Sequence, residues 1–501
     1  MTAKSIMIQG TMSDAGKSII AAGLCRVFAQ DGYKVAPFKS QNMALNSSIT
    51  KEGLEMGRAQ VVQAEAAGIE PEAAMNPILL KPTTDVGSQV IVRGKPIGTM
   101  NARDYFAFKN SLVPDILDAY HNLESRFDII VIEGAGSPAE VNLQDDDIVN
   151  MGMAKMAKAP VLLAGDIDRG GVFAQLVGTM MLLRDDERPL VKGSVVNKFR
   201  GDVSILEPGL AILEEKMGVP VVGVLPYLNV DIDDEDSMSS RLKSRAYHGI
   251  VDIAVIRLPK ISNFTDFTAL EAATDVDIRY VGNARGLGQP DLIILPGTKS
   301  TLADLKWLRT SGLEAAILKC ASKGTPVFGI CGGYQMLGMQ ISDPHGVEGG
   351  GELRGMGLLP TRTVFSPEKR TIRSSGKVLD VGGPLARMSG SAVDGYEIHM
   401  GTTTLEGGTP LLEVSDADGN TLVDGCCSDN VYGSYLHGFF DNPQASQALL
   451  SSLLATKGLD DSAVTAVDMA TYKEQQYDLL AEGIRNHLNM DTIYRIIEEG
   501  V

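Results

Sequence analysis

Short apolar runs recur along the chain, and most are followed by glycine or polar residues and then by a stretch with helical periodicity. The runs in the first half lie at Ser5–Gln9, Val35–Phe38, Ile129–Ile132, Ala159–Ala164, Leu190–Asn197 and Val221–Leu225. Those in the second half lie at Val251–Arg257, Asp291–Leu295, Val327–Ile330 and Val431–His437. Strands that alternate with helices are typical of an α/β fold with mostly parallel sheets. The pattern therefore predicts two α/β domains in succession.

The composition changes between these two series of runs. Residues 231–240 are acidic and have no apolar period, which is typical of an exposed connector. We expect a first domain at residues 1–230, a linker at 231–248 and a second domain at 249–445. Residues 446–501 carry leucine pairs at helical spacing, such as Leu449–Leu450, and are predicted to form a helical extension.

The composition excludes several classes of protein. A hydrophobic content of 44% and a charged content of 22% are typical of a soluble globular protein. The net charge of −18 argues against nucleic acid as the main partner, because no basic excess exists to neutralise phosphates. The five cysteines form no C-x-x-C pair, so neither a disulfide framework nor a zinc knuckle is expected.

The apolar runs are too short for a membrane protein. None reaches the roughly 18 uninterrupted apolar residues that a membrane span needs. The run after Lys4 is interrupted at Gln9-Gly10, unlike a secretory signal peptide. We therefore expect a cytoplasmic protein without a membrane partner.

The first strand leads into a glycine-bounded loop, Gly10–Ser18, and then into an Ala/Ile/Leu-rich helix. Backbone N–H groups in such a loop can bind phosphate, Lys17 can contact the outer phosphates, and Ser18 can bind Mg²⁺. Gly10 lies one residue further from Gly16 than in the usual phosphate loop, and this longer form resembles dethiobiotin synthetase. The alternative is a helix cap that happens to contain Gly-Lys-Ser. The residues expected to contact ATP in this loop are Gly10, Thr11, Asp14, Ala15, Gly16, Lys17 and Ser18.

Polar residues follow the next strands at the edge of the sheet where parallel sheets bind ligands. Lys39 follows the second strand and is expected to face a reacting carboxylate and the γ-phosphate, unless it is simply a solvated lysine. Glu133 follows four consecutive β-branched residues and is expected, with Ser18, to bind Mg²⁺. Asp166, Asp168 and Arg169 are expected on the same rim.

Cys331 lies where a buried strand, Val327–Ile330, turns directly into a predicted helix. Gly329-x-Cys331-x-Gly333 has the spacing of a nucleophile elbow, and the helix N-terminus would stabilise negative charge on the sulfur and on an oxyanion. The alternative is a small buried cysteine at the end of a core strand, and by itself the motif does not choose between the two.

Long motifs in a fixed order resemble the family of glutamine-hydrolysing cobyric acid synthases, over nearly the whole chain. They are Pro37-Phe-Lys-Ser-Gln-Asn-Met, Glu133-Gly-Ala-Gly-Ser-Pro-Ala-Glu, Asp166-Ile-Asp-Arg-Gly-Gly-Val-Phe-Ala, Val196-Asn-Lys-Phe-Arg-Gly-Asp, Leu295-Pro-Gly-Thr, Gly329-Ile-Cys-Gly-Gly-Tyr-Gln and Tyr435-Leu-His-Gly. The resemblance implies a synthetase domain of the dethiobiotin synthetase type fused to a class I glutaminase domain. It implies an enzyme that uses ATP, Mg²⁺ and glutamine to amidate the b, d, e and g carboxylates of a corrinoid, adenosylcobyrinic acid a,c-diamide.

The resemblance also implies roles for single residues. Cys331 would attack the glutamine amide, and His437 would protonate the leaving ammonia and then activate water. By similarity to dethiobiotin synthetase, Asn197 would contact the adenine. The residues implied in oxyanion or glutamine binding are Gly297, Gly332 and Gln335.

One histidine and the third member of the glutaminase triad remain unassigned by this resemblance. Many class I glutaminases carry a glutamate two residues after the catalytic histidine, but Phe439 occupies that position here, so a third member of the triad is not evident. His399 could support the site, although a core histidine bonded to a backbone carbonyl is the favoured interpretation.

Two alternative functions stay open at this point. One is the sister enzyme that makes the a,c-diamide, and the other is a nucleotide-switch protein with an inert glutaminase-like module. The segments Gln41–Ser48 and Ser137–Asn142 are candidates for corrinoid contact. The sequence is compatible with an oligomer and does not define one.

Overall fold

The computed structural model describes residues 2–82, 87–232, 249–416 and 419–501. This part of the chain divides into two compact units. The first comprises Met1–Ala44, Leu54–Glu235 and Lys473–Val501, and the second comprises Leu45–Gly53 and Asp236–Tyr472. The acidic segment predicted as a linker, 231–248, lies outside the described residues except for its first two.

Residues 2–232 contain alternating strands and helices. The strands are β1 (Lys4–Gly10), β2 (Val35–Phe38), β3 (Gln41–Met43), β4 (Ser47–Ile49), β5 (Glu55–Gly57), β6 (Ile78–Pro82), β7 (Gly87–Val92), β8 (Lys95–Asn101), β9 (Ile129–Glu133), β10 (Val161–Asp166), β11 (Val191–Phe199) and β12 (Val221–Pro226). The helices are α1 (Lys17–Gln30), α2 (Arg58–Ala66), α3 (Ala102–Phe108), α4 (Val113–Glu124), α5 (Met151–Ala157), α6 (Val172–Leu182) and α7 (Val203–Met217).

The main sheet of the first unit is parallel, with strand order β12-β11-β10-β1-β9-β2. Its central strands are apolar on both faces because helices cover both sides; all five residues of β9 are buried. A smaller sheet, β3-β6-β7-β8, follows β2 and is antiparallel from β6 onward. The carboxyl ends of β1, β2 and β9 therefore lie side by side.

The second unit also contains alternating strands and helices. Its strands are β13 (Val251–Ile256), β14 (Val276–Val281), β15 (Leu292–Leu295), β16 (Val327–Ile330), β17 (Gln340–Asp343), β18 (Gly351–Arg354), β19 (Thr361–Val378), β20 (Ala392–Leu405), β21 (Leu412–Asp416), β22 (Thr421–Asp424), β23 (Cys426–Ser428) and β24 (Val431–Ser434). Its helices are α8 (Thr268–Glu271), α9 (Ala284–Leu287), α10 (Thr301–Thr310), α11 (Leu313–Ala321), α12 (Gly332–Leu337) and α13 (Pro443–Thr456).

Two sheets organise the second unit. One has the order β14-β13-β15-β16-β24-β23 and is parallel except for the last pair. The other has the order β18-β17-β19-β21-β22, with β20 paired to β19 in a long antiparallel ribbon. The two units confirm the predicted α/β class with parallel sheets.

The strand predicted to end at His437 is shorter than expected. β24 ends at Ser434, because the Ser434 hydroxyl and the Tyr435 N–H both donate to the Asp424 carboxylate, at 2.6 and 2.9 Å, in place of continuing the ladder. His437 instead pairs with Tyr396 of β20 through two backbone hydrogen bonds. The histidine is thus held by the antiparallel ribbon.

The C-terminal residues complete the first unit. α14 (Met469–His487) and α15 (Met490–Glu499) follow α13. Leu480 and Ile484 of α14 and Ile493 of α15 are buried in the same cluster as apolar residues of α1. Part of the core of the first unit is therefore supplied by residues that follow the second unit in sequence.

Candidate functional site: a nucleotide-binding loop and a cysteine–histidine pair

The loop between β1 and α1 is held close to the end of β11. Gly16 is in the left-handed region, with φ of 92°, and a Cβ there would lie 2.0 Å from Asn197 Nδ2. Asn197 donates to the Ala15 carbonyl at 2.9 Å. Lys17 Nζ donates to the Met12 carbonyl at 3.2 Å and to the Gly136 carbonyl at 3.3 Å. The loop thus curves around its own lysine, in the way that presents N–H groups to phosphates.

The other loop residues lie at the same edge. Thr11 donates its hydroxyl to Gln175 at 3.1 Å, and the exposed Asp14 pairs with Arg169 at 3.3 Å. A Cβ on Gly10 would lie 3.0 Å from the Ala15 Cβ, so the loop packs closely on its own start. Asn197, which was expected to contact the adenine, donates a hydrogen bond to the backbone of the phosphate loop.

Glu133 is fully buried and collects side chains from three elements. Its Oε1 accepts from Ser18 Oγ at 2.8 Å and from Lys39 Nζ at 2.9 Å. Its Oε2 accepts from Gln63 at 2.5 Å and from Gln60 at 3.4 Å. The structure therefore brings together Ser18, Lys39 and Glu133, which lie far apart in sequence.

Gln60 and Gln63 were not recognised from the sequence. They lie on one face of α2 at a spacing of three residues, but the sequence around them gives no sign that this face meets a carboxylate.

The oxygen donors at this point fit a magnesium ion. Mg²⁺ prefers hard oxygen ligands, and in nucleotide sites it takes one or two from the protein and the rest from phosphates and water. The Ser18 hydroxyl and the Glu133 carboxylate, 2.8 Å apart, are donors of that kind. Among the described residues no group of three or more His, Cys, Asp or Glu side chains could hold a metal ion, so a site there would depend on phosphate oxygens.

The predicted rim residues tie the loops together. Asp166 is buried and pairs with Lys198 at 2.9 Å, and Lys198 also donates to the Asp14 carbonyl at 2.5 Å. Asp168 pairs with Arg200 at 3.1 Å at the surface. These acidic residues are engaged by cations of β11 and the loop after it.

A cavity of about 440 Å³ lies in the first unit beside the Glu-Gly-Ala-Gly segment. Its wall includes Ala135 and Ser137, which flank the Gly136 carbonyl bonded to Lys17, and its lining is mostly apolar. Of the two segments expected to contact a corrinoid, Gln41, Met43, Ser137, Pro138 and Glu140 line this cavity. Leu45–Gly53 groups with the second unit instead.

Cys331 has a strained backbone between β16 and α12. Its φ of 51° and ψ of −110° lie outside the regions that L-residues prefer. The following turn is tight, since a Cβ on Gly333 would lie 2.0 Å from the Leu295 carbonyl oxygen. The backbone therefore has the strained strand-to-helix turn of a nucleophile elbow.

His437 lies beside Cys331 and is oriented by Asp266. The His437 Nδ1 donates to Asp266 Oδ2 at 2.7 Å, and the Gly438 N–H donates to Asp266 Oδ1 at 3.0 Å. Burial would lower the pKa of His437, but the Asp266 carboxylate and hydrogen bonds to Asp266 and Cys331 raise the pKa to about 10. The imidazole is thus held as a cation beside the Cys331 side chain.

Asp266 was missed by sequence reasoning. It lies after β13, 171 residues before His437, in the 3₁₀ turn Phe264–Phe267. The sequence position two residues after His437 is Phe439, which is buried in the core, and the carboxylate bonded to His437 comes from Asp266 instead.

The residues predicted to bind an oxyanion or glutamine surround this pair. A Cβ on Gly297 would lie 3.0 Å from His437 Cε1, and one on Gly332 would lie 2.7 Å from Thr298 Cγ2. The Pro296-Gly297-Thr298 turn and the start of α12 therefore meet beside the histidine. Gln335 is buried; it accepts from Thr301 and donates to Tyr435, each at 3.1 Å.

His399 has hydrogen-bond partners on both ring nitrogens. Nδ1 lies 3.1 Å from the Gly401 carbonyl and Nε2 lies 3.3 Å from Glu397. Its ring stacks on Tyr435 at 3.7 Å between centroids. One ring nitrogen therefore faces a backbone carbonyl, as in a core histidine, and the Tyr435 ring also connects His399 to Gln335, so its role stays a prediction.

Comparisons with known proteins match two families of domain to the two halves of the chain. The family model described as "CobQ/CobB/MinD/ParA nucleotide binding domain" matches residues 6–239, and that described as "CobB/CobQ-like glutamine amidotransferase domain" matches residues 252–445. A protein of Ruminiclostridium cellulolyticum named cobyric acid synthase is 59% identical, over 100% of this chain and 98% of its own. Proteins of the same name from Lachnoclostridium phytofermentans and Yersinia enterocolitica are 57% and 52% identical, over 100% and 99% of this chain and 100% and 98% of their own.

The fold and the two sites define a glutamine amidotransferase joined to a nucleotide-binding domain. The sequence identity of 52% to 59% over 99% to 100% of the chain also shows the family. The chain belongs to the cobyric acid synthase family.

No described helix of this chain combines the length and the apolar character needed to cross a membrane.

Proposed function

We propose that this protein amidates the b, d, e and g carboxylates of adenosylcobyrinic acid a,c-diamide, with one ATP and one glutamine used for each amide. The proposal is carried by one observation: a single chain of this family holds both a Cys331–His437 pair and a buried Ser18–Lys39–Glu133 cluster. The first can release ammonia from glutamine, and the second can activate a carboxylate.

Carboxylate activation takes place at the edge of the first sheet. A substrate carboxylate oxygen attacks the γ-phosphorus of ATP and ADP leaves, which gives an acyl phosphate. Lys17 and Lys39 stabilise the charge on the transferred phosphoryl group. Ser18 and Glu133 would hold Mg²⁺, which neutralises phosphate charge when it is bound. Ammonia then attacks the acyl carbon, inorganic phosphate leaves, and the amide remains.

Ammonia is released in the second unit. Cys331 Sγ attacks the side-chain amide carbon of glutamine, while N–H groups at Gly332 and the Gly297 turn bind the oxyanion. The His437 imidazolium gives its proton to the leaving ammonia, which leaves a thioester and a neutral imidazole. The imidazole then takes a proton from water as the water attacks, and glutamate is released.

The corrinoid is assigned to the cavity beside Ala135–Ser137. A cavity of this size takes one edge of a large ligand, and its apolar walls suit the macrocycle and its methyl groups. A carboxylate on that edge, next to Ala135 and Ser137, would be close to the segment that contacts Lys17.

The product from the a,c-diamide with ATP, Mg²⁺ and glutamine tests the proposal by mass spectrometry. A gain of four amides is expected. No gain would overturn the assignment, and two amides formed on cobyrinic acid alone would indicate the sister enzyme, which the names of the relatives do not favour. A lack of glutamine hydrolysis would point to a nucleotide switch with an inert module.

A further inference from the structure

The wall of the cavity contains one basic side chain among the described residues that line it, Lys109. Lys109 is 7% exposed and begins the short 3₁₀ segment Lys109–Leu112 between α3 and α4. Its Nζ lies 4.3 Å from the centre of the Phe106 ring. A buried cation in a largely apolar wall is expensive unless an anion pairs with it.

No ion pair satisfies Lys109 within the described ranges of the chain. Asp146 and Asp147 lie near enough to act through charge, but Asp146 accepts from Asn110 at 2.6 Å and Asp147 accepts N–H groups of Val149, Asn150 and Gly152 at 2.8 to 2.9 Å. Burial lowers the pKa of Lys109, and these two carboxylates oppose that shift only in part. Lys109 would therefore gain from a negative charge close to its Nζ, while the carboxylates of Glu140 and Asp147 lie in other parts of the same wall.

The reacting carboxylate already has cations of its own. Lys17 donates to the Gly136 carbonyl and Lys39 pairs with Glu133, and these are the two lysines that the proposed function assigns to the phosphate. Lys109 is contributed by a different segment of the wall. A ligand that fills the cavity and carries several carboxylates could place one at the phosphate side and another at Lys109.

We infer that Lys109 binds a carboxylate of the corrinoid other than the one being activated, and so makes the enzyme prefer the less amidated forms of its substrate. This inference rests on the proposed function. Lys109 is a specificity residue and takes no part in the bond changes. Each amidation replaces a carboxylate with a neutral amide, so the attraction weakens as the reaction approaches its product.

Steady-state kinetics of the full-length protein test the role of Lys109. Lys109→Gln and Lys109→Met should raise KM for the a,c-diamide about tenfold or more, the factor expected when a buried charge-assisted hydrogen bond is lost. The value of kcat at saturation should change less than about threefold, and glutamine hydrolysis should be unchanged. Lys109→Arg should retain most of the affinity. Lys95→Gln, an exposed lysine on β8, is the matched control for charge.

Equilibrium dialysis gives a readout that does not depend on turnover. Corrinoid binding is followed by visible absorbance, with the a,c-diamide and with adenosylcobyric acid, which has four fewer carboxylates to offer. The wild-type protein should bind the a,c-diamide about tenfold more tightly, and the Lys109→Gln protein should have lost that preference. Thermal unfolding checks that the variants are folded.

The outcomes separate this inference from the proposed function. If the wild-type protein amidates the corrinoid and Lys109→Gln has the same KM and the same preference, only the assignment of Lys109 is overturned. If the wild-type protein neither binds nor amidates a corrinoid, both are overturned. A KM effect as large in Lys95→Gln would show that net surface charge, and not Lys109, is responsible.

Discussion

The Asp266 carboxylate accepts a hydrogen bond from His437 Nδ1 at 2.7 Å, and both side chains are buried. This pair fixes the orientation of the imidazole and leaves Nε2 to face the reacting groups. It supplies the third group that the sequence around His437 lacks.

Asp266→Asn should therefore impair glutamine use. The amide cannot stabilise an imidazolium, so the kcat for glutamine-dependent amidation should fall about 100-fold or more. Amidation with added ammonium salts should continue, because it does not need the thioester. Asp252→Asn, which removes a carboxylate paired with Arg279 in the same unit, is the matched control. Equal loss in both variants would count against an orienting role.

Cys331→Ala should abolish glutamine hydrolysis and leave ammonia-dependent amidation intact. The reason is that Cys331 Sγ is the proposed nucleophile for glutamine and takes no part in acyl phosphate formation. Cys320→Ala removes another buried cysteine of the second unit and should retain both activities. Loss of both activities in Cys331→Ala, with the fold intact, would contradict the division into two sites.

Lys39→Met should stop amidation from either nitrogen source while glutamine hydrolysis continues. It leaves the buried Glu133 carboxylate without its cation, and the free energy of unfolding should fall by about 3 kcal/mol. Lys81→Met breaks a second buried pair in the first unit, with Glu55 at 2.7 Å, and should cost a similar amount. Denaturant unfolding compares the two, and activity retained in Lys81→Met alone would locate the chemistry at Lys39.

Gly16→Ala should weaken ATP binding strongly. Gly16 and Gly32 have nearly the same φ, 92° and 91°, so alanine adds similar backbone strain at each. A Cβ at Gly16 would lie 2.0 Å from Asn197, whereas at Gly32 nothing lies within 4 Å. Titration with a fluorescent ATP analogue should show at least a tenfold weaker Kd for Gly16→Ala and little change for Gly32→Ala. A similar Kd for the two variants would contradict the claim that the contact of the added Cβ with Asn197 disturbs ATP binding.

The stability of the second unit should decrease at alkaline pH. The pKa of His437 is raised from about 6.5 to about 10 in the folded protein, so the folded state binds a proton that the unfolded state has lost. This contribution is fully present below pH 6.5 and is lost as pH rises through 10. Urea unfolding between pH 6 and pH 10 should show the decrease, and Asp266→Asn should flatten it. An unchanged pH profile in Asp266→Asn would contradict the origin of the shift.

Short stretches of sequence were sufficient to predict several strands and motifs of the protein. Val327–Ile330 and Val35–Phe38 are strands with the predicted ends, because short apolar runs bounded by polar or glycine residues have few other buried conformations. The glycine-flanked Cys331 turn and the Gly16-Lys17-Ser18 helix start were also visible as contiguous motifs. The β24 strand was predicted too long, because the Asp424 carboxylate that ends it comes from outside the run.

Contacts over long distances in sequence could not be predicted in the same way. Gln60 and Gln63 bind Glu133 from a helix about 70 residues earlier, and glutamine on a helix face is usually solvated. Lys109 is one of many lysines in the sequence, and only its burial in the cavity wall distinguishes it.

The sequence by itself determined the two α/β units, the phosphate loop, the nucleophile elbow and, through its long motifs, the family. Each of these features depends on residues that are adjacent in sequence, and the periodicity and backbone preferences of such residues directly determine the local structure. Only the tertiary structure decided which carboxylate orients His437, which groups surround Glu133 and which cation faces the cavity. Those choices depend on how the strands and loops pack, and packing joins residues whose separation in sequence leaves no local pattern.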